Sequence, residues 1–240
     1  MQEQLELLDG GTHGALHMHR LGGPHPHMVQ IVVGEVELAA NSCPVVLVKS
    51  AETGRFSLAA LFGFAPGEVL VDVADSGQMP FVPLELVRQG FYAVEQSIAV
   101  DLAHPRFAAG GPIALFEAHG EPTAQMRAVQ KAIGQLMAMG PPTEAFIEAM
   151  TNLKLVEPID VQLQFDDGSN IALNGLYSIS GDAMSALGDI EIIRLFRNGW
   201  LQAALAMRGS LHQIGLLARR KNESAGSRSS GFDRALAGWA

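Results

Sequence analysis

The chain has 240 residues, of which 48% are hydrophobic and 17% are charged, and its formal net charge is −9. A chain of this length buries roughly 70–75% of the surface that its unfolded form exposes, so it can fold around its own core without disulfides or structural metals. Acidic residues outnumber basic ones, and the basic residues form no extended cluster in the sequence, which argues against nucleic-acid binding. Cys43 is the single cysteine, which excludes an intramolecular disulfide, and its apolar neighbours predict a buried, inert thiol.

The segment 1–10 is acidic and lacks the basic and apolar regions of a secretory signal. No apolar run approaches the roughly 18–20 residues that span a bilayer. We therefore expect a cytoplasmic protein without a membrane span.

The first half of the chain predicts an antiparallel meander. The segment 28–38 alternates apolar and polar residues on both sides of Gly34, which indicates a strand with a shift of register. Ala65-Pro66-Gly67 predicts a turn, because proline fixes φ and glycine accepts a positive φ. The predicted strands are 28–38, 43–50, 54–64 and 67–73, the second of them central.

The second half predicts helices around one hairpin. Thr123 is a candidate cap for a helix within 120–139, Gly140-Pro141-Pro142 predicts its end, and a second helix is expected from Thr143. Alternating apolar residues predict a hairpin over 159–179. Two helices follow, one from about Asp182 to Asn198-Gly199 and one over 200–222.

These elements predict an α+β protein: a mostly antiparallel N-terminal sheet, a central helical pair, a hairpin and two C-terminal helices. We expect residues 1–222 to form a single domain, with a subdivision near residue 155 left open. The composition of 223–240, rich in Ser, Gly and Arg, predicts a flexible tail.

Several blocks of the sequence resemble a bacterial family, the SapC-like proteins, over roughly residues 8–222. The blocks are THGALHM (12–18), CPVVLVKS (43–50), PFVPLELVRQGF (80–91), GGPIALFEAHGEPTA (110–124) and LNGLYSISGDAMSAL (173–187). The family takes its name from a gene in a surface-layer locus, and many members are linked to outer-membrane receptor clusters. The resemblance implies a shared fold and a role in such a surface or uptake pathway.

Four histidines lie close together in the sequence, and they are the candidate metal ligands. The pairs His17/His19 and His25/His27 each place two imidazoles on the same side of a strand. Two such strands could supply a donor set for Zn, Ni, Cu or Fe, as in a cupin-like enzyme or an oxygenase. The glutamate that follows the second histidine in cupins is missing, so exposed histidines flanking a Gly-Pro loop are the alternative interpretation.

The candidate ligand-binding residues are His13, Lys49, Arg88 and Tyr92. His13 is shared with the family, and Lys49 ends an apolar strand, where its amine either is desolvated or reaches solvent. Arg88 could bind an acidic ligand near Tyr92 or pair with Glu85 three residues away.

Other polar residues are weaker candidates for a functional site. Glu35 and Glu37 are predicted on one solvated strand face, and Ser210 and His212, two apart on a helix, point in different directions. No complete catalytic constellation is recognisable. We therefore expect a non-enzymatic accessory protein that recognises a protein or small molecule without a cofactor, homo-oligomerisation being left open. A metalloenzyme that uses the histidines and a divalent transition metal is the competing hypothesis.

Overall fold

The computed structural model describes residues 5–71 and 81–237, with side chains described up to residue 224. It combines helices with several antiparallel sheets, which confirms the α+β class. The strands of the described residues are β1 Leu5–Leu7, β2 His17–Met18, β3 Met28–Gln30, β4 Val45–Lys49, β5 Phe56–Leu61, β6 Phe91–Val94, β7 Ser97–Asp101, β8 Ile113–Ala114, β9 Val156–Pro158, β10 Gln162–Gln164, β11 Asn170–Ala172 and β12 Leu176–Ile179. The α-helices are α1 Val36–Ala40, α2 Leu84–Val87, α3 Ala124–Asn152, α4 Gly181–Ser185, α5 Asp189–Arg197, α6 Trp200–Ser210 and α7 His212–Ala237.

The chain divides into two compact units, each built from two separate segments. Unit 1 comprises residues 1–25 and 82–142, and unit 2 comprises residues 26–81 and 143–240. Independent folding of 1–222 as a single domain stays a prediction.

Unit 1 contains two small sheets and the first part of α3. The strands pair in the order β1-β7-β6, with β2 and β8 in a separate pair, and every pairing is antiparallel. Apolar side chains from these strands, from the 115–116 segment and from α3 form one buried cluster, which includes Met18, Phe91, Val100, Leu115, Met126, Val129 and Ile133. The loops that connect these strands are therefore anchored on a common core.

Unit 2 is organised around a five-stranded antiparallel sheet with the order β3-β5-β4-β12-β9. The prediction of a central strand at 43–50 is confirmed, since β4 lies between β5 and β12, and Val45, Val46 and Leu47 are all 0% exposed. Continuous burial of this kind explains why the segment reads as an unbroken apolar run rather than an alternating one. Helix α6 packs on β4, β12 and α1.

Three local predictions are confirmed. Thr123 Oγ1 accepts the backbone N–H of Met126 at 3.3 Å at the start of α3. In the Ala-Pro-Gly turn, the N–H of Glu68 donates to the Ala65 carbonyl at 3.0 Å and Gly67 has a φ of 82°. The hairpin is formed by β10 and β11, which are paired antiparallel. Each of these features depends on residues close together in the sequence.

The predicted strand 28–38 is wrong beyond Gln30. A 3₁₀ turn over Val33–Glu35 leads directly into α1, and Glu35 Oε2 accepts the N–H of Val32 at 3.0 Å. This side-chain bond closes the first helical turn, which the apolar alternation did not reveal. Glu35 and Glu37 therefore do not share a strand face. No strand is present over 67–71, and residues 72–73 of that prediction lie outside the described residues.

The central helical pair is instead a single helix. Helix α3 includes Pro141 and Pro142, each of which removes one backbone hydrogen bond. Residues on both sides of the prolines are buried, among them Ile133 before them and Phe146 and Met150 after them. Packing on both sides outweighs the local cost of the prolines, because tertiary context overrides intrinsic propensity.

The two C-terminal helices are observed as four. The first divides into α4 and α5 before Gly188, and the second divides into α6 and α7 at Leu211, while the predicted break at Asn198-Gly199 is confirmed. Helix α7 continues to Ala237, so residues 223–237 of the predicted tail have helical backbone. The flexibility of that segment stays a prediction.

Candidate functional site

The candidate site is a cleft of about 650 Å³ in unit 1. We call it the glycine cleft, and its walls come from two loops about 100 residues apart in sequence. The first wall belongs to the loop before β2 and the second to the loop before α3. The lining residues are Asp9, Gly10, Gly11, Gly14, Phe116, Glu117, Ala118, His119 and Gly120.

The first wall is a compact loop organised by Asp9. Its Oδ1 accepts the backbone N–H of Gly11 at 3.0 Å and of Thr12 at 2.9 Å, and its carbonyl accepts the N–H of His13 at 2.8 Å. Hydrogen bonds from Thr12, above all from its backbone, hold the pKa of the Asp9 carboxyl below its ordinary value. Asp9 is therefore an exposed, ionised carboxylate on a fixed loop.

His13 is a buried residue of the loop that forms the first wall. Its side chain is 7% exposed, and Nδ1 accepts the backbone N–H of Asp9 at 3.2 Å. Nε2 lies 3.4 Å from Oε2 of Glu6 on β1. The structure therefore places this residue in the loop beside the cleft and close to the neighbouring strand, while ligand binding by His13 stays a prediction.

The second wall is a tight turn. The N–H of Glu117 donates to the Glu121 carbonyl at 2.8 Å, and the N–H of Gly120 donates to the Glu117 carbonyl at 2.9 Å. Gly120 has a φ of 81°, a left-handed conformation that favours glycine. The side chains of Glu117 and His119 project as exposed groups at the cleft rim.

The two walls meet through glycine backbones. A Cβ at Gly10 would lie 2.4 Å from the carbonyl oxygen of Gly120, and a Cβ at Gly14 would lie 2.8 Å from the carbonyl oxygen of Gly10. A side chain at Gly10 would force the two loops apart, and one at Gly14 would disturb the first loop itself. The glycines are therefore a steric requirement of the cleft.

The lining groups favour a cationic ligand. Asp9 and Glu117 supply carboxylates, the glycine-rich walls supply backbone carbonyls, and Phe116 supplies an aromatic ring. A guanidinium or ammonium group can pair with carboxylates, donate to carbonyls and contact a ring face. The sequence signal for this cleft was the GGPIALFEAHGEPTA block, although Asp9, Glu117 and His119 were not singled out as site residues.

The four candidate metal ligands are distributed over both units. In unit 1, His17 is exposed on β2 with Nδ1 2.9 Å from the Ala15 carbonyl, while the backbone of His19 is bonded to Arg106. His25 is half-buried in unit 1, and the carbonyl of His27 in unit 2 accepts the N–H of Phe62 and Gly63. Among the described side chains, no three His, Cys, Asp or Glu residues are grouped as metal ligands. A metal at these histidines stays a prediction.

Arg88 and Tyr92 are brought together in unit 1. The guanidinium is 2.6 Å from Oε2 of Glu85 and 5.6 Å from the centre of the Tyr92 ring. The intramolecular pairing with Glu85 is thus the one that forms. Ligand binding by Arg88 and Tyr92 stays a prediction.

Lys49 lies in unit 2 at the exposed end of β4. Its Nζ is 5.5 Å from the centre of the Phe56 ring, which in turn makes an edge contact with Tyr177. The ammonium therefore reaches solvent over an aromatic surface. A ligand role for Lys49 stays a prediction.

The remaining nucleophile candidates in unit 2 are engaged in the core. Cys43 is 0% exposed, and burial raises the pKa of its thiol to about 12. Ser210 Oγ accepts the N–H of Val45 at 2.9 Å and donates to the Met207 carbonyl at 2.7 Å. Both side chains therefore stabilise the fold.

A second hollow, of about 390 Å³, lies in unit 2 between the Ala-Pro-Gly turn and α7. Its principal charges are already paired: Lys221 Nζ lies 2.7 Å from Glu68 Oε1 and 5.3 Å from the centre of the Phe165 ring. Glu68 Oε2 also accepts the N–H of Phe64 at 2.7 Å. Lys221 and Glu68 are therefore engaged with each other and with neighbouring groups of the unit.

Sequence reasoning missed Arg106, the main buried cation of unit 1. The side chain is 4% exposed and donates to the carbonyls of His19 at 3.1 Å, Val87 at 2.7 Å and Gln89 at 2.9 Å. Burial lowers the pKa of its guanidinium to about 10. Arg106 therefore connects its own segment to two others, at His19 and at 87–89, through their backbone carbonyls.

The chain thus combines an α+β fold with a polar, glycine-walled cleft. It belongs to the SapC family, whose family model matches residues 8–217. Both cleft walls lie within the matched segment. No curated protein and no solved structure is significantly similar to the chain. No described helix combines the length and the apolar character needed to cross a bilayer.

Proposed function

We propose that this protein is a non-enzymatic binding protein of the SapC family that acts as an accessory in a surface-layer or outer-membrane uptake pathway. Its glycine cleft binds a cationic group, such as an arginine or lysine side chain, of a protein or small-molecule partner. The observation that carries this proposal is the cleft itself. Both of its walls lie within the segment that matches the family model, and exposed Asp9 and Glu117 supply its charge.

The electrostatics of the cleft support a cationic ligand. The lowered pKa of Asp9 keeps this carboxylate ionised throughout the physiological range. The Oδ1 oxygen of Asp9 accepts two backbone N–H groups and so organises the loop, while the carboxylate as a whole is exposed to solvent. Because the loop is fixed before binding, little conformational entropy is lost when the ligand binds.

The nucleophiles Cys43 and Ser210, and the cation Arg88, already make contacts within the fold. These contacts support a binding role over an enzymatic one. Cys43 is protonated and buried, Ser210 is bonded to backbone on both sides, and Arg88 is paired with Glu85. A nucleophile needs an adjacent base or a lowered pKa. Burial instead raises the pKa of Cys43, and both hydrogen bonds of Ser210 Oγ join it to backbone groups.

The experiment is an NMR titration of the full-length, ¹⁵N-labelled protein with N-acetyl-arginine amide and, in parallel, N-acetyl-glutamate amide. We expect the arginine probe alone to shift the amide signals of Gly10, Gly11, Gly14 and Gly120. Asp9→Asn retains the Oδ1 acceptor of the loop but removes the charge, so the apparent affinity should fall about tenfold, the equivalent of 1.4 kcal/mol.

Glu144→Gln is the matched control, since Glu144 is an exposed carboxylate of unit 2 that lies 3.2 Å from Arg55. This variant should bind the arginine probe as the wild type does. Equal shifts with both probes, or no shift of the cleft glycines with arginine, would contradict the proposal. A stoichiometric metal that is lost in His17→Ala and His19→Ala would instead favour the metalloenzyme hypothesis.

A further inference from the structure

Helix α5 of unit 2 presents three large apolar side chains to solvent. Ile190 is 80% exposed, Ile193 is 49% exposed and Phe196 is 60% exposed. The three residues follow one another at a spacing of three, which keeps them on one side of the helix. Leu195, at 0% exposure, lies on the opposite side and attaches the helix to the core. The exposed stripe is therefore additional to the face that packs inside the unit.

The charges at the two ends of this stripe are opposite. Asp189 begins the helix and Arg197 ends it, both are exposed, and neither forms an ion pair with another of the described residues. Each charge suits its own end of the helix dipole. The stripe thus runs from an acidic end, through apolar side chains, to a basic end.

This pattern is self-complementary about Ile193, the middle residue of the nine-residue helix. If a second copy of the helix runs antiparallel across a two-fold axis at Ile193, Asp189 lies level with Arg197 of the other copy. Ile190 then lies level with Phe196 of the other copy, and the two Ile193 side chains meet at the axis. A closed two-fold interface requires this kind of reciprocal matching, in which residue i contacts j and j contacts i.

We propose that α5 is the two-fold contact of a homodimer of this protein, formed by antiparallel pairing of Ile190, Ile193 and Phe196 with terminal Asp189–Arg197 ion pairs. The contact uses one short helix from each chain, so it belongs to the small end of protein interfaces. Dimerisation is therefore concentration-dependent. The inference is independent of the glycine cleft and of any ligand bound there.

The test is sedimentation equilibrium of the full chain over roughly 5–200 μM, where interfaces of this size associate and dissociate. We expect the weight-average mass to rise from that of one chain towards that of two. Ile193→Asp, which places two carboxylates at the axis, should remain monomeric throughout. Leu38→Asp, at a 57% exposed apolar position of α1, is the matched control and should dimerise as the wild type does.

A charge exchange tests the antiparallel register. Asp189→Arg and Arg197→Asp should each weaken dimerisation at least tenfold, because each places like charges opposite one another. The double variant restores opposite charges at both ends and should recover most of the affinity. Thermal unfolding of all variants checks that the fold is retained, and the exposure of these positions makes them tolerant of substitution.

Three results would overturn the proposal. One is a wild-type chain that remains monomeric up to the highest concentration. Another is a dimer that Ile193→Asp leaves intact. The third is monomeric binding to vesicles of phosphatidylglycerol and phosphatidylcholine that Ile193→Asp abolishes, which would assign the stripe to a lipid surface.

Discussion

The two units of the molecule stabilise their interiors in different ways. In unit 1, the buried guanidinium of Arg106 bonds three carbonyls in two other segments, one at His19 and two at Val87 and Gln89, none of which lies in a strand. In unit 2, the central strand β4 has a sheet neighbour on each side, and its interior residues are apolar. Unit 1 therefore adds a buried polar side chain to its apolar cluster, whereas the core of unit 2 around β4 is formed by apolar packing on paired backbone.

The largest expected effect is in unit 2. Leu47→Ala removes a 0% exposed side chain from β4 and leaves a cavity between the sheet and its packing partners. We expect the free energy of unfolding to fall by about 3–4 kcal/mol, measured by chemical denaturation of the full chain. A loss below about 1 kcal/mol would show that the sheet can collapse around the cavity, contrary to the close packing described.

The second effect tests unit 1. Arg106→Met keeps much of the side-chain length but leaves the carbonyls of His19, Val87 and Gln89 without their donor. We expect a loss of about 3 kcal/mol, since unsatisfied buried polar groups cost about 1–3 kcal/mol each and some of these will relax towards water. Arg55→Met is the control: Arg55 is 75% exposed, so its removal should cost less than about 1 kcal/mol.

The third effect concerns the cleft. Gly10→Ala places a Cβ 2.4 Å from the Gly120 carbonyl oxygen, so the two walls must separate. We expect a loss of about 1–3 kcal/mol in stability, with loss of the NMR response to the arginine probe. Gly209→Ala is matched to it: a Cβ there meets nothing within 4 Å, and as a helical position of α6 it should gain about 0.5–1 kcal/mol. Equal behaviour of the two variants would contradict the close approach of the walls.

At neutral pH the smallest effect concerns Cys43 in unit 2, because its contribution to stability changes only at alkaline pH. Because burial raises the pKa of this thiol from 9.0 to about 12, the unfolded chain ionises first as the pH rises. The contribution of the neutral thiol to stability is therefore complete below pH 9.0 and is lost progressively between pH 9.0 and about 12. Iodoacetamide should modify Cys43 slowly in the folded protein and rapidly in denaturant. Fast modification of the folded protein would contradict the buried position of the thiol.

Features that depend on neighbouring residues could be predicted from the sequence. The Thr123 cap, the Ala-Pro-Gly turn and the 159–179 hairpin each follow from a few adjacent residues with defined backbone preferences. The central position of β4 followed from its unbroken apolar run, which only a strand buried on both faces requires.

Features that depend on distant residues could not be predicted. The carbonyl partners of Arg106 are 17, 19 and 87 residues away, and nothing near Arg106 in the sequence indicates them. The glycine cleft joins Gly10 to Gly120, and neither loop by itself forms a cavity. The continuity of α3 across Pro141-Pro142 likewise depends on burial at both ends of the helix.

The division of each unit between two chain segments has a consequence for synthesis on the ribosome. Residues 1–25 must wait for 82–142 before they can complete their unit, and 26–81 must wait for 143 onwards. The β4 strand, in particular, gains its β12 neighbour only after residues 176–177 have been made. Unit 1 can therefore be completed once residue 142 has been made, whereas the apolar strands of 26–81 must still wait for the second segment of their unit and are exposed to aggregation during that period.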